Sequence, residues 1–271
     1  MADRTQAWRI RTHPKPLACC GSRANAIGLS VDDRRFVAIF PAGVQMRSPM
    51  SLILITGAAR GIGLELTRQL LVAGHEVIAV CRNPGAHLPE LGCERIDGIE
   101  LTHASDIERV RIALGERKLD VLIHNAGLLH SEGLGTLRER VADIRAQFET
   151  NTLAPLLLTE ALLPNLAAGS KIAFISSRMG SIADNSSGGY YGYRMSKGAL
   201  NVAGKSLSID LRSRGIAVAL LHPGFVRTGM TAGAGDIDPA TSAAQLIQRI
   251  NALKLQDSGQ FLHAKGESLP W

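Results

Sequence analysis

The chain has 271 residues, of which 45% are hydrophobic and 20% charged, with 28 glycines and a formal net charge of +6. That length and balance exclude a disordered or fibrous chain and leave enough apolar surface for a core that needs no metal or disulfide. The positive charge is concentrated: residues 1–49 hold eight Arg and Lys against three Asp, which leaves 22 basic and 21 acidic residues afterwards and argues against a nucleic-acid groove.

Residues 1–49 show neither helical nor strand periodicity. They read as a poorly ordered extension, or as a mis-assigned start with Met50 the natural first residue. The four cysteines, Cys19, Cys20, Cys81 and Cys93, form no C-x-x-C pair and join no His cluster at ligand spacing, so no disulfide framework and no metal site is expected. A reducing cytoplasm fits that usage, and no run of 18 apolar residues offers a membrane span.

From residue 51 the pattern alternates between short apolar strands and amphipathic helices. Residues 52–55 form a fully apolar strand, of the kind found in parallel sheets covered on both faces. Ile62, Leu66, Leu70 and Ala73 then lie at helical spacing up to Gly74. Residues 77–80 make the next strand and 96–101 a weaker one. Ser105 and Glu108 form a capping-box pattern opening a helix.

Residues 121–123 are a strand, while Leu137, Val141, Ile144 and Phe148 mark a helix and 156–166 another. A strand at 172–175, a helix at 193–211 and a strand at 217–221 follow. Asp238-Pro239 is an N-cap and first-turn pair for a helix carrying Ala243, Leu246, Ile250 and Leu253, before a last short strand at 260–262. Alternation of this kind predicts an α/β fold: one doubly wound parallel sheet of Rossmann type spanning 50–271, with ligands bound beyond the carboxyl ends of the strands.

Three features carry chemistry. The turn T-G-A-A-R-G-I-G at 56–63 joins a strand to a helix; Gly57 and Gly61 admit backbone angles closed to other residues, and Gly63 lets the helix pack close, so its first amides can approach a pyrophosphate. In Y-Y-G-Y-R-M-S-K at 190–197, Tyr193 alone of the three tyrosines has a lysine, Lys197, one helical turn on. An ammonium there favours the phenolate, drawing the phenol toward the neutral range, which makes Tyr193 the expected proton donor to a carbonyl or acceptor from an alcohol. Tyr190 is expected to stack with Arg194. Finally, the second strand ends in Cys81-Arg82 where an acid would grip a ribose 2′-hydroxyl. With Arg60 in the glycine turn, two guanidiniums suit a 2′-phosphate, so NADP(H) is expected over NAD(H).

With H-N-A-G at 124–127, Asn151, Ser176-Ser177, Tyr193-x-x-x-Lys197 and H-P-G-F-V-R-T at 222–228, the glycine turn resembles the short-chain dehydrogenase/reductase family over about residues 51–271. Within it, residues 176–197 and the terminal G-E-S-L-P-W are most similar to the branch of C-factor signalling proteins and sniffer-type carbonyl reductases. The resemblance implies a catalytic set of Asn151, Ser177, Tyr193 and Lys197. Lys197 would also hold the nicotinamide ribose, Ser177 orient the substrate oxygen, and Asn151 support a water chain to Lys197. Ser176 is the alternative serine, and residues 185–189 read as an insertion ahead of Tyr193.

The resemblance also implies cofactor contacts from Gly57, Arg60, Gly61, Ile62, Gly63 and Arg82, from Asn125, Ala126 and Gly127, from Tyr193 and Lys197, and from Pro223, Gly224, Val226 and Thr228. His124 is expected to be a structural neighbour, and Glu100 stands near a family position that touches adenine. Residues 229–239 are expected to form a mobile lid. The implied partners are a small carbonyl or alcohol substrate and further copies of the chain, as homodimer or homotetramer, with no nucleic acid and no membrane. The functional expectation is an NADPH-dependent oxidoreductase. The alternative is a dinucleotide-binding signalling protein whose turnover is incidental; an epimerase or dehydratase is disfavoured by the short chain remaining after Thr228.

Overall fold

A computed structural model describes residues 50–271; the expectations for 1–49, with Cys19 and Cys20, lie outside the described residues. Seven strands form one parallel sheet in the order β3-β2-β1-β4-β5-β6-β7. They are β1 (Leu52–Thr56), β2 (Glu76–Val80), β3 (Glu94–Ile96), β4 (Leu119–His124), β5 (Leu166–Ile175), β6 (Ala217–His222) and β7 (Gln260–His263). The helices are α1 (Gly61–Val72), α2 (His87–Glu90), α3 (Ala104–Leu114), α4 (Val141–Phe148), α5 (Ala154–Ala161), α6 (Tyr191–Asp210) and α7 (Pro239–Ala252).

Side chains alternate across a strand, so each strand feeds two cores. Ile53, Ile55, Val77 and Val121 pack with Leu66 of α1 and Leu246 of α7 on one face. Leu54, Ile78, Leu122 and Phe174 pack with Val110 of α3, Leu158 of α5 and Leu200 of α6 on the other. This two-sided burial is why the strands read as continuous apolar runs.

Four expectations change. Helix α3 begins at Ala104 with His103 at its N-cap, so Ser105 and Glu108 form no capping box. Asp106 ties the first turn down instead, accepting from the Glu100 amide at 2.8 Å. The third strand stops at Ile96: Gly98, at φ 70°, turns the chain so that Ile99 and Leu101 drop into the core. Arg194 does not stack on Tyr190; its Nε donates to the Gly188 and Gly189 carbonyls and its Nη2 to Ser187 Oγ, gripping the loop ahead of α6.

The fourth change lies between the predicted helices at 137–148 and 156–166. They form one helical run from Val141 to Ala161, joined by a π-helical turn at Glu149–Leu153. Pro155 has no N–H to return to the carbonyl four residues back, at Asn151, so the ladder opens where that asparagine stands. No helix among the described residues is long and apolar enough to cross a membrane.

Candidate active site

Strand order reverses between β1 and β4, and the loops that leave these two strands are stitched together. Thr56 Oγ1 accepts from the Asn125 and Ala126 amides, each at 3.1 Å. Asn125 Nδ2 donates to the carbonyls of Thr56 at 3.1 Å and Gly57 at 3.0 Å. The approach leaves no room for side chains: a Cβ on Gly57, whose φ is 66°, would stand 2.7 Å from Ala126 Cα. A Cβ on Gly63 would strike the Gly57 carbonyl and stand 2.5 Å from Asn125 Nδ2. The turn is thereby drawn under the start of α1, whose first amides no side chain caps; Arg60 at the N-cap makes no capping bond, and the first turn holds no acid. Such a helix end attracts phosphate.

A cavity of about 400 Å³ runs from this turn across the strand ends. Gly57, Arg60, Gly61, Ile62 and Arg82 line one end, Asn125, Ala126 and Gly127 the middle, and Tyr193, Lys197, Pro223 and Thr228 the other. Amides and guanidiniums at one end and a phenol at the other fit a nicotinamide dinucleotide. Three predicted contacts stand back from the cavity. Gly63 lies beneath the turn, Gly224 (φ 91°) is turned against Ile237, and Val226 is buried where it bridges to Ile237. Thr150 and Met230 also line it, and neither belongs to a motif that marks it out in the sequence.

Arg82 is not the unopposed cation that the second strand's end implied, because its Nη1 lies 3.2 Å from Glu100 Oε2. The acid arrives from the loop after β3 rather than from β2. The pair is largely exposed, with the arginine side chain 68% accessible, so it is worth under about 1 kcal/mol and an arriving phosphate can displace it.

At the other end, α6 brings Tyr193 and Lys197 to the same side, both buried, with Lys197 Nζ 5.9 Å from the centre of the tyrosine ring. The ammonium does not pull the phenol down as expected. Burial dominates both groups: it pushes Tyr193 up to about 12, opposed by a hydrogen bond from Ser177, and Lys197 down to about 8. Lys197 Nζ instead donates to the Ile175 carbonyl at 2.8 Å. Of the two serines, Ser177 is the one whose hydroxyl acts on the phenol, lowering it against the effect of burial; Ser176 lines the cavity, but its Oγ is turned to Asn201 Oδ1 at 2.6 Å.

Asn151 makes no direct hydrogen bond to Lys197, although a Cβ on Gly127 would stand 3.4 Å from its Oδ1 and 3.8 Å from Lys197 Nζ. Its Oδ1 accepts from the Leu128 amide at 2.7 Å, while Nδ2 donates to the Leu128 carbonyl at 2.8 Å and to Ser196 Oγ at 2.9 Å. His124 is a core residue: its Nε2 meets Thr159 Oγ1 at 2.8 Å, it stacks on Phe174, and burial pushes it down to about 3, leaving it neutral. Within residues 229–239, the segment expected as a mobile lid, the chain makes local hydrogen bonds. Thr231 Oγ1 accepts from the Thr228 amide and donates to the Val226 carbonyl, and the Arg227 amide donates to the Ile237 carbonyl at 2.9 Å.

The family profile described as short chain dehydrogenase matches residues 51–237. The chain is 40% identical over 228 residues to the 1-hydroxy-2-glutathionyl-2-methyl-3-butene dehydrogenase of a Rhodococcus species, covering 82% of this chain and all of the relative. It is 42% identical over 157 residues to C-signal of Myxococcus xanthus, covering 56% of this chain and 93% of that one. Among solved structures, the carbonyl reductase Sniffer of D. melanogaster superposes with a TM-score of 0.76 at 33% identity, covering 82% of this chain and all of that one. An NADPH-bound carbonyl reductase from chicken fatty liver gives 0.74 at 32%, covering 82% and 99%. The chain belongs to the short-chain dehydrogenase/reductase family, and with it to the oxidoreductases that work with a nicotinamide dinucleotide on small molecules.

Proposed function

We propose that this protein is an NADPH-dependent reductase of carbonyl compounds (ketones, aldehydes or quinones) in which Tyr193 gives up the proton. The observation that carries this reading is a buried phenol, with Lys197 Nζ 5.9 Å from its ring centre, lining the same cavity as the glycine turn that forms a cradle for pyrophosphate. When bound, the dinucleotide supplies the hydride. Ser177, whose hydroxyl acts on the phenol, holds the substrate oxygen beside Tyr193, which donates its proton as charge builds there. Lys197, one turn below, stabilises the phenolate left behind and gives a donor to the ribose. Asn151 acts through its bonds to Leu128 and Ser196, fixing the wall of the site. Kinship with proteins named as carbonyl reductases supports the carbonyl side of the reaction.

Arg60 and Arg82 support the 2′-phosphate, and neighbours with bound NADPH and NADP agree with that choice. The test is nucleotide oxidation by the purified protein against a panel of carbonyls, comparing NADPH with NADH. Sustained turnover that prefers NADPH is the expected result, with about a tenfold loss of that preference in Arg82→Ala, as suits one charge-assisted bond. A panel that yields tight NADPH binding and no turnover would sink the reading. It would favour instead a dinucleotide-binding signalling role, for which the 42% identity to C-signal is the specific support.

We further propose that two copies pair through α4, α5 and α6, because Phe148, Leu157, Met195, Val202 and Ile209 are exposed on these helices. Sedimentation should give a dimer or tetramer that Val202→Glu disperses; a monomer at micromolar concentration would exclude it.

A further inference from the structure

The loop after Gly127 is held at every second residue. Leu128 is pinned by Asn151, and the His130 amide donates to Gln147 Oε1 at 2.9 Å, from a side chain one turn earlier on the same helical run. Glu132 then joins the loop to α6: its backbone carbonyl accepts from the Tyr190 amide at 2.9 Å and its Oε2 from the Gly192 amide at 3.2 Å. Its Oε1 accepts from Gln147 Nε2 in a short hydrogen bond. Glu132 is 4% exposed and Gln147 fully buried, and among the described residues no Lys, Arg or His forms an ion pair with Glu132.

A carboxylate is costly to bury unless donors surround it, and here one of those donors is an amide in the first turn of α6. That turn has no cap of its own. Tyr190, the N-cap residue, sits in the left-handed region at φ 50° and ψ 42° and offers no side-chain bond. Glu132 takes that place from another loop, where the helix dipole also favours a negative charge. Gly192 is what allows it, because a Cβ there would stand 2.6 Å from both Gln147 Nε2 and Glu132 Oε1.

We propose that Glu132 is a positioning residue for catalysis: by gripping the first turn of α6 through Gly192 and Gln147, it fixes the height and rotation of the helix that presents Tyr193. The proposal rests on Tyr193 as the proton donor. Gln147 is oriented by its neighbours, with its oxygen committed to the His130 amide and its nitrogen to the carboxylate. Glu132→Gln leaves one acceptor oxygen for two donors, so either the Gly192 amide or Gln147 Nε2 is left facing an –NH₂ group, and rotating Gln147 only moves the conflict to His130. Gln147→Glu sets two carboxylates against each other. The exchange Glu132→Gln with Gln147→Glu restores every donor to an acceptor: Gln at 132 accepts from Gly192 and donates to Glu at 147, which accepts from His130.

The experiment is steady-state kinetics on both singles and the exchange variant, with amide exchange along the start of α6 as a readout that needs no turnover. Expected are a fall in kcat of roughly 10²-fold in E132Q, as displacement of a reacting group by about 1 Å would cause, with KM for NADPH held within about twofold, faster exchange near Gly192, and recovery of both in the exchange variant. If wild-type protein shows no turnover, the reductase reading fails, and the exchange rates still decide whether Glu132 holds α6. Unchanged kcat in E132Q overturns the proposal. So does an exchange variant that melts like wild type yet stays slow, and where E132Q does not fold the exchange variant alone decides.

Discussion

Tyr193→Phe is expected to reduce carbonyl turnover by roughly 10²- to 10⁴-fold, the range that a positioned general acid supplies, while NADPH binds with an unchanged dissociation constant. The substitution removes one hydroxyl from a buried ring that belongs to the core as well as to the site, so the fold and the cradle at the far end of the cavity are untouched. Burial holds the phenol near 12 and so keeps it protonated throughout the range where an acid is wanted. Lys197, pushed down to about 8, is charged below that pH and neutral above it. Reduction should therefore weaken as pH rises through about 8, when the cation that stabilises the departing phenolate is lost, and Lys197→Met should be slow on both sides of it. Stopped-flow turnover with calorimetric binding checks all three; a Phe variant as fast as wild type would remove Tyr193 from the chemistry.

Gly63→Ala is expected to abolish dinucleotide binding and to lower stability by about 1–3 kcal/mol, the usual cost of forcing a methyl into a filled space. The methyl would fall on the Gly57 carbonyl and on the Asn125 side chain, which together join the β1 and β4 loops. The Gly57 carbonyl is backbone, and the Asn125 side chain is tied to Thr56 and Gly57, so α1 must lift and its first amides leave the phosphate position. Gly74→Ala is the control for a glycine with open space around it, although its φ of 87° adds its own strain. Thermal melting and a nucleotide titration give the result. Wild-type affinity in Gly63→Ala would mean that the cradle does not depend on this close approach.

The sheet was legible because its strands are covered on both faces: runs such as 52–55 and 172–175 can be little else between amphipathic helices. The glycine turn and the Tyr193–Lys197 pair were legible as local spacings. What escaped depends on contacts between distant segments. Arg82 could be counted from the sequence, but not its pairing with Glu100, which the turn at Gly98 delivers. The lysine's proximity to the phenol could be read, but not that burial outweighs it. Glu132 and Gln147 lie in no motif, and their importance comes from meeting Gly192, 60 and 45 positions further along the chain.

The widened turn at Glu149–Leu153 also bears on how this chain can change length. One additional residue in a single helical turn offsets everything after it by about 100°, and this offset lets α4 lie against α6 while α5 lies against α3. A one-residue insertion or deletion in most surface connections is absorbed as slack. Here it would act as a rotation, swinging Leu158 out of the core beside the sheet and carrying the Asn151 amide away from Leu128.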